Sequence, residues 1–173
     1  MKPELTEQFL ALGQPIKVPK GHQLLQADSP VHQLYYIKEG LVRAYYLKDG
    51  KEVTDWFGTP DTYITSLQGY HANGTSSQFI DVLTPTEVVV LEKANVEKAL
   101  LTNRALEIYY RDIITQHLLR LQERITALQF FTAAQRYELL LTKNPWVVKH
   151  ASRTHIASYL GISLETLSRI SDT

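Results

Sequence analysis

The sequence predicts an α+β fold: a small jelly roll, one long helix, then a C-terminal pair of short helices. Three observations predict it. Between Pro15 and Leu91, β-rich runs alternate with turn signals roughly every 8 to 12 residues, the pattern of a sandwich or barrel. Residues 103–130 read as helix throughout and contain neither Gly nor Pro. In Thr154–Ile170 two helical patterns flank the single Gly161.

The composition allows such a fold. Of 173 residues, 44% are apolar and 21% charged, enough to bury a core in one domain or two small ones. Lys+Arg and Asp+Glu are both 18, giving a net charge of zero, but the balance is uneven. Residues 1–102 hold nine basic and twelve acidic side chains, and residues 103–173 hold nine and six. The C-terminal part is therefore mildly basic, in the direction a nucleic-acid contact requires. The absence of cysteine rules out disulfides, a cysteine-ligated iron–sulfur cluster and a thiol nucleophile. No apolar run approaches ~18 residues, and the N-terminus MKPELTEQFL lacks a signal-peptide core, so a cytoplasmic protein with no membrane partner is expected.

In chain order, residues 3–12 read as a short amphipathic helix with Leu5, Phe9 and Leu12 on one face. The β-rich runs are Ile16–Val18, Gln23–Gln26, Gln33–Lys38, Leu41–Leu47, Lys51–Phe57, Ser77–Leu83 and Glu87–Leu91. Lys48-Asp49-Gly50 between two of them is a strong hairpin signal. Seven or eight antiparallel strands closing on themselves suggest the jelly roll. Tyr63–Tyr70 reads as one helical turn between strands, and residues 94–101 as another short helix with Val96 and Leu100 inward.

In the long helix, Asn103 is placed to cap the start. Leu106, Tyr110, Ile113, His117, Leu121 and Leu128 form one stripe, and Ile108, Leu118, Leu119 and Ile125 a second apolar surface. One stripe is expected on the β domain and the other on the same helix of a second chain, against the plainer reading of a helix lying only across its own domain. Residues 133–143 read as helix with Tyr137, Leu140 and Leu141 apolar; Asn144-Pro145 ends it, and Trp146-Val147-Val148 reads as a short strand or an extended turn.

The last segment carries the chemistry. Ser152 caps a first helix whose Ile156, Ala157 and Leu160 share a face; Gly161 supplies a positive φ; Ser163 caps a second helix with Leu164, Leu167 and Ile170 apolar. Small Ala157 allows a close crossing. This is a helix-turn-helix pattern, whose second helix can enter a DNA major groove, or else a helical hairpin that only packs.

The order of β jelly roll, long helix and helix-turn-helix resembles the Crp/Fnr superfamily of bacterial transcription regulators. Residues 34–61 (LYYIKEGLVRAYYLKDGKEVTDWFGTPD) resemble that family's central hairpin, including Gly40 after a strand. RYELLLTKNP followed by HIASYLGISLETLSRI resembles its DNA-binding domain, as written in the Bacteroidota branch. The resemblance implies a cyclic-nucleotide-binding-like sensor domain over 1–102, a dimerisation helix over 103–130 and a winged-helix-like helix-turn-helix domain over 131–173. It also implies a homodimer on a palindromic DNA operator, with RNA polymerase and a small-molecule effector as further partners.

Carried over to this sequence, Glu165 and Arg169 take two of the family's three base-reading positions, and Leu164 the third. Glu accepts from cytosine N4 and Arg reaches guanine O6 and N7; at i, i+4 the two also suit a plain intrahelical ion pair. Ser163, Thr166 and Ser168 suit phosphate or water-mediated contacts, and Arg153 and Lys149 phosphates. Cyclic-nucleotide-binding members carry a Gly-Glu pair and an Arg-Ser pair around a loop of the β domain. Here Ser66 stands in place of that Glu and Ser76 in place of that Arg. A serine hydroxyl cannot replace a bidentate guanidinium on phosphate. An effector pocket is therefore expected at Tyr63, Thr65, Ser66, Ser76 and Ser77, without high-affinity cAMP or cGMP binding. His22, His32 and His71 are available as haem ligands, but isolated histidines are usually structural. A cupin-type metalloenzyme would need clustered histidines with a carboxylate on adjacent strands, and the six histidines include no His-x-His pair. No catalytic residue, metal or cofactor is expected. The competing function is a ligand-binding or protein-interaction module of the same fold without productive DNA binding.

Overall fold

A computed structural model describes residues 3–171. The elements run α1 (Pro3–Leu10), β1 (Gln14–Val18), β2 (Gln23–Leu25), β3 (Gln33–Glu39), β4 (Val42–Lys48), β5 (Lys51–Gly58), β6 (Thr62–Ile64), α2 (Leu67–Ala72), β7 (Phe79–Val82), β8 (Thr86–Glu92) and α3 (Lys93–Thr102). There follow α4 (Arg104–Phe130), α5 (Ala133–Lys143), α6 (Pro145–His150), α7 (Arg153–Leu160) and α8 (Leu164–Ser171). The strands form two four-stranded sheets, ordered β1-β8-β3-β6 and β2-β7-β4-β5, and all their pairings are antiparallel.

Alternation along the strands places the core. Ile37 and Val88 of one sheet face Val42, Ala44, Ile80 and Val82 of the other in one buried cluster. Phe9 of α1 and Leu106, Tyr109 and Ile113 of α4 close it. The β4–β5 hairpin turns where the sequence marks it, with Asp49 at φ 52° and Gly50 at φ 74°, both in the left-handed region a tight hairpin requires.

The 27-residue α4 starts where Asn103 Oδ1 accepts from the N–H groups of Ala105 and Leu106. Its inward stripe is Leu106, Tyr109 and Ile113, with Tyr109 buried more deeply than the expected Tyr110. Of the second surface, Leu118 is 63% and Leu119 57% exposed, and Ile108 and Ile125 are exposed as well.

Several local expectations are corrected. Trp146–Val148 is neither strand nor extended turn but part of α6, because Pro145 sits in its first turn, where a fixed φ and a missing N–H cost nothing. Tyr63 and Ile64 lie in β6, and the helix begins only at Leu67. β6 itself was not in the expected set; it has three residues, held by pairing to Tyr35–Ile37. Among the described residues no strand follows β8, so the C-terminal part is all helical and shows no wing. No helix of the described residues is long and apolar enough to cross a membrane.

α5 to α8 gather around a second cluster: Leu140, Val147, Ile156, Ala157, Leu160 and Leu167, together with Leu41 and Phe57 from the β region. Polar contacts fix the seat. Thr54 N–H donates to Ser158 Oγ at 2.9 Å, and that hydroxyl donates to Glu52 O at 3.1 Å. Arg124 of α4 donates to Tyr159 O at 2.9 Å and Thr54 O at 3.3 Å, and Trp146 Nε1 to Gly40 O at 3.3 Å.

Candidate nucleic-acid interface and effector pocket

The α7–α8 pair is built by local capping. Ser152 Oγ accepts from His155 N–H at 3.1 Å and opens α7. At its end Gly161 adopts φ 67°. Gly161 N–H then reaches Ser158 O at 3.1 Å and Ile162 N–H reaches Ala157 O at 3.0 Å. These two bonds satisfy carbonyls that the helix end would otherwise leave open, and a side chain at this φ would be strained. Ser163 Oγ accepts from Thr166 N–H at 3.1 Å and starts α8. Leu167 is 1% exposed and anchors α8 on the second cluster.

The expected DNA-contacting residues divide into two groups. Ser163, Glu165 and Arg169 are exposed, and Thr166 and Ser168 are half-buried. Arg169 Nη2 lies 3.6 Å from Glu165 Oε1; so exposed a pair is held weakly and opens readily to another partner. Arg153 is used differently: its Nη2 donates to Ser168 Oγ at 3.2 Å and Ser171 Oγ at 2.8 Å, tying the start of α7 to the end of α8. Lys149 is exposed on α6.

The expected effector residues lie around α2, but not in one open cavity. Tyr63 and Thr65 line a recess of about 50 Å³ between the sheet and α4, with His71, Tyr110 and His117. Tyr63 OH lies 3.0 Å from Tyr109 OH. Burial, reinforced by that hydroxyl, pushes the Tyr63 phenol far above its ordinary range. Thr65 Oγ1 donates to Gln33 O at 2.8 Å. Ser66 is buried at the entry to α2, and its hydroxyl has no protein partner. Ser76, also buried, accepts from Gln78 N–H at 2.9 Å and donates to Gln78 O at 2.7 Å, so its hydroxyl is committed to its own loop. Ser77 is exposed.

Two charged residues went unremarked in the sequence. Lys93 is buried at the β8–α3 junction; its Nζ donates to Tyr70 O and, at 2.6 Å, to Asn73 Oδ1, clamping the end of α2. Its ammonium adds to burial in holding the His71 imidazole below its ordinary pKa, with burial the larger cause. Arg43 is 2% exposed, with Nη2 3.0 Å from Asp81 Oδ2 and 2.7 Å from Glu52 Oε2. Burial opposes its charge, but hydrogen bonds and attraction from Asp81 and then Glu52 outweigh it and raise its pKa. His155 of α7 faces this cluster, Nε2 4.0 Å from Glu52 Oε2. Burial first, then Arg43, holds its pKa below the usual value. Nothing local marked either residue: Arg43 meets Asp81 only through the β4–β7 register. Among the described residues no group of three or more His, Asp or Glu is placed to hold a metal.

Several solved structures share this fold. FixK2 of Bradyrhizobium japonicum is 21% identical, with a TM-score of 0.79 over 92% of this chain and 83% of that one. The c-di-GMP responsive global regulator CLP of Xanthomonas campestris is 19% identical, with a TM-score of 0.75 over 99% of this chain and 90% of that one. The Catabolite Activator Protein of Thermus thermophilus is 19% identical, with a TM-score of 0.62 over 99% and 83%. Comparison with curated proteins gave no match. At these identities the structures establish a shared fold. The family model for the cyclic nucleotide-binding domain matches residues 15–103, half of the chain, from β1 through α3, and the protein belongs to that family.

Proposed function

We propose that the chain is a dimeric, DNA-binding transcription regulator of the Crp/Fnr type, in which residues 1–102 sense a signal, 103–130 dimerise and 131–173 read DNA. One observation carries the reading. Leu167 seats α8 on the second cluster while Glu165 and Arg169, one turn apart, stand exposed on its outside. A recognition helix in a major groove needs that division between anchor and reader. The exposed Leu118, Leu119, Ile108 and Ile125 on α4 supply an apolar face for a second copy. Two α8 helices then meet a palindromic operator with half-sites about one helical turn, roughly 34 Å, apart. Ser163, Thr166 and Ser168 add phosphate contacts, and Arg153 acts as the brace that sets the angle of α8. RNA polymerase is the further partner such a regulator engages, and the cytoplasm its compartment. The DNA-reading half is of the Bacteroidota type. The chain performs no catalysis.

The signal is a small molecule other than cAMP or cGMP, received around α2 by Tyr63, Thr65 and Ser66, with Ser76 and Ser77 shaping the neighbouring loop. Ser76 offers a phosphate no charge, and its hydroxyl is already engaged. The test is selection from random duplexes at two salt concentrations. A palindrome should emerge from the wild type and vanish with Arg169→Ala, at a cost of about 1–3 kcal/mol per half-site. Uniform, sequence-blind binding would refute DNA reading, and tight cAMP binding by calorimetry would refute the effector assignment.

A further inference from the structure

A cleft of about 730 Å³ opens between the β5–β6 end of the sandwich, the second half of α4, and α5 to α7. None of the expected effector residues lines it, and it adjoins the recess that holds Tyr63 and Thr65, with Asp61, Thr62, Gln116 and Arg120 lining both. Its size falls in the range of small-molecule sites, roughly 300–1,000 Å³. One wall is apolar: Phe57, Leu128, Leu139 and Leu160. Its charged lining is mostly cationic: Arg120, Arg124, Arg136 and Lys143, against Asp61 and Glu123.

The charges do not cancel within the protein. Lys143 and Glu123 pair with each other, and Asp61 accepts from Tyr36 OH at 2.7 Å. Among the described residues no carboxylate pairs with Arg120, Arg124 or Arg136. Arg124 is half-buried and held by main-chain carbonyls, its guanidinium 4.1 Å above the Tyr159 ring. Arg136 is half-buried, donates to Phe131 O at 3.1 Å and Leu128 O at 3.4 Å, and keeps a buried Nε without a protein acceptor. Withdrawing guanidinium groups from water without a counter-charge is costly. Fixed by carbonyls and unneutralised, these groups form a preset anion receptor beside an apolar wall.

We propose that the cleft binds an amphiphilic anion: a small molecule whose carboxylate or phosphate head is drawn to the unneutralised Arg124 and Arg136 and whose hydrocarbon body lies against Phe57, Leu128, Leu139 and Leu160. Such a ligand touches the sandwich, α4 and the C-terminal helices at once, so it ties the second cluster to the sheet. This site does not depend on the DNA-reading assignment: Arg169 lies outside the cleft, and binding is read without DNA.

The test is calorimetry on the full chain with decanoate and decyl phosphate below their micelle concentrations, with decanol as the uncharged match and inorganic phosphate as the head alone. At least one anion should bind at one site per chain, at least about tenfold tighter than decanol, and raise the thermal midpoint; decanoate against decyl phosphate identifies the preferred head. Arg136→Gln and Arg124→Gln should each weaken it by about tenfold or more, the usual loss for a charged hydrogen bond. Leu139→Trp should block it by filling the cleft without changing charge. Should Arg124→Gln disturb folding, Arg136→Gln and Leu139→Trp carry the test, provided their ligand-free thermal midpoints match the wild type. Equal affinity for decanol, undiminished binding by Arg136→Gln, or no binding of either anion, as when carboxylates of a second copy already fill the cleft, would overturn the proposal.

Discussion

The sandwich core and the core of the C-terminal helices differ in where their residues come from. Both sheets and α1 to α4 furnish the first, and Phe9, Ile37, Ile80, Val88 and Leu91 in it are completely enclosed. The second has eight buried residues, and two of them, Leu41 and Phe57, belong to the β region. The first core closes on its own elements. The second is completed by a floor the sandwich supplies. The C-terminal helices therefore hold their position only as firmly as they hold that floor, and their seat is the softer joint of the molecule.

Phe57→Ala tests this contrast most severely. Removing that ring should cost about 3–5 kcal/mol, and the loss should appear first as faster amide exchange in α5 to α8 while the β8 amides stay protected. Equal acceleration in both regions would abolish the distinction. Ser158→Ala should cost about 1–2 kcal/mol by removing the hydroxyl bridge between Thr54 and Glu52, again read out in α7 before β3. The mirror experiment is Ile80→Val in the closed core. It should cost about 0.5–1.5 kcal/mol in denaturant unfolding and leave the C-terminal helices' local opening unchanged.

The smallest effect is expected from acid. His155, His71 and His117 are all held below the ordinary imidazole value of about 6.5, chiefly by burial. The unfolded chain therefore binds more protons once the pH drops below that value. Stability is fully present above about pH 6.5 and declines as pH falls from there to the lowered native values. His155→Gln should flatten the part of that decline seen by exchange at α7. An unchanged slope would show that His155 does not report on the joint.

Much of this was legible because it is local. Asn103, Ser152, Gly161 and Ser163 announce helix ends, and Asp49-Gly50 a hairpin, through backbone chemistry confined to a few residues. What stayed hidden is non-local. β6 is three residues long and exists by pairing to Tyr35–Ile37. Tyr109 and Tyr110 are adjacent, and periodicity alone could not select the deeper one. Arg43 and Asp81 meet through strand register, and Arg153 is spent on Ser168 and Ser171 because α7 and α8 cross. In the candidate sites the sequence picked out residue types well suited to anions and bases; which hydroxyls were already committed, as at Ser76, required the fold.

The borrowed floor bears on how such proteins can be recombined. A chimera that splices residues 131–171 onto a foreign β domain transfers only six of the eight residues buried in the second cluster. Without apolar side chains matching Leu41 and Phe57 in the host, the grafted helices would lack a foundation. The heritable unit of these C-terminal helices is discontinuous in sequence, and any workable fusion has to carry two positions from the other half of the chain along with it.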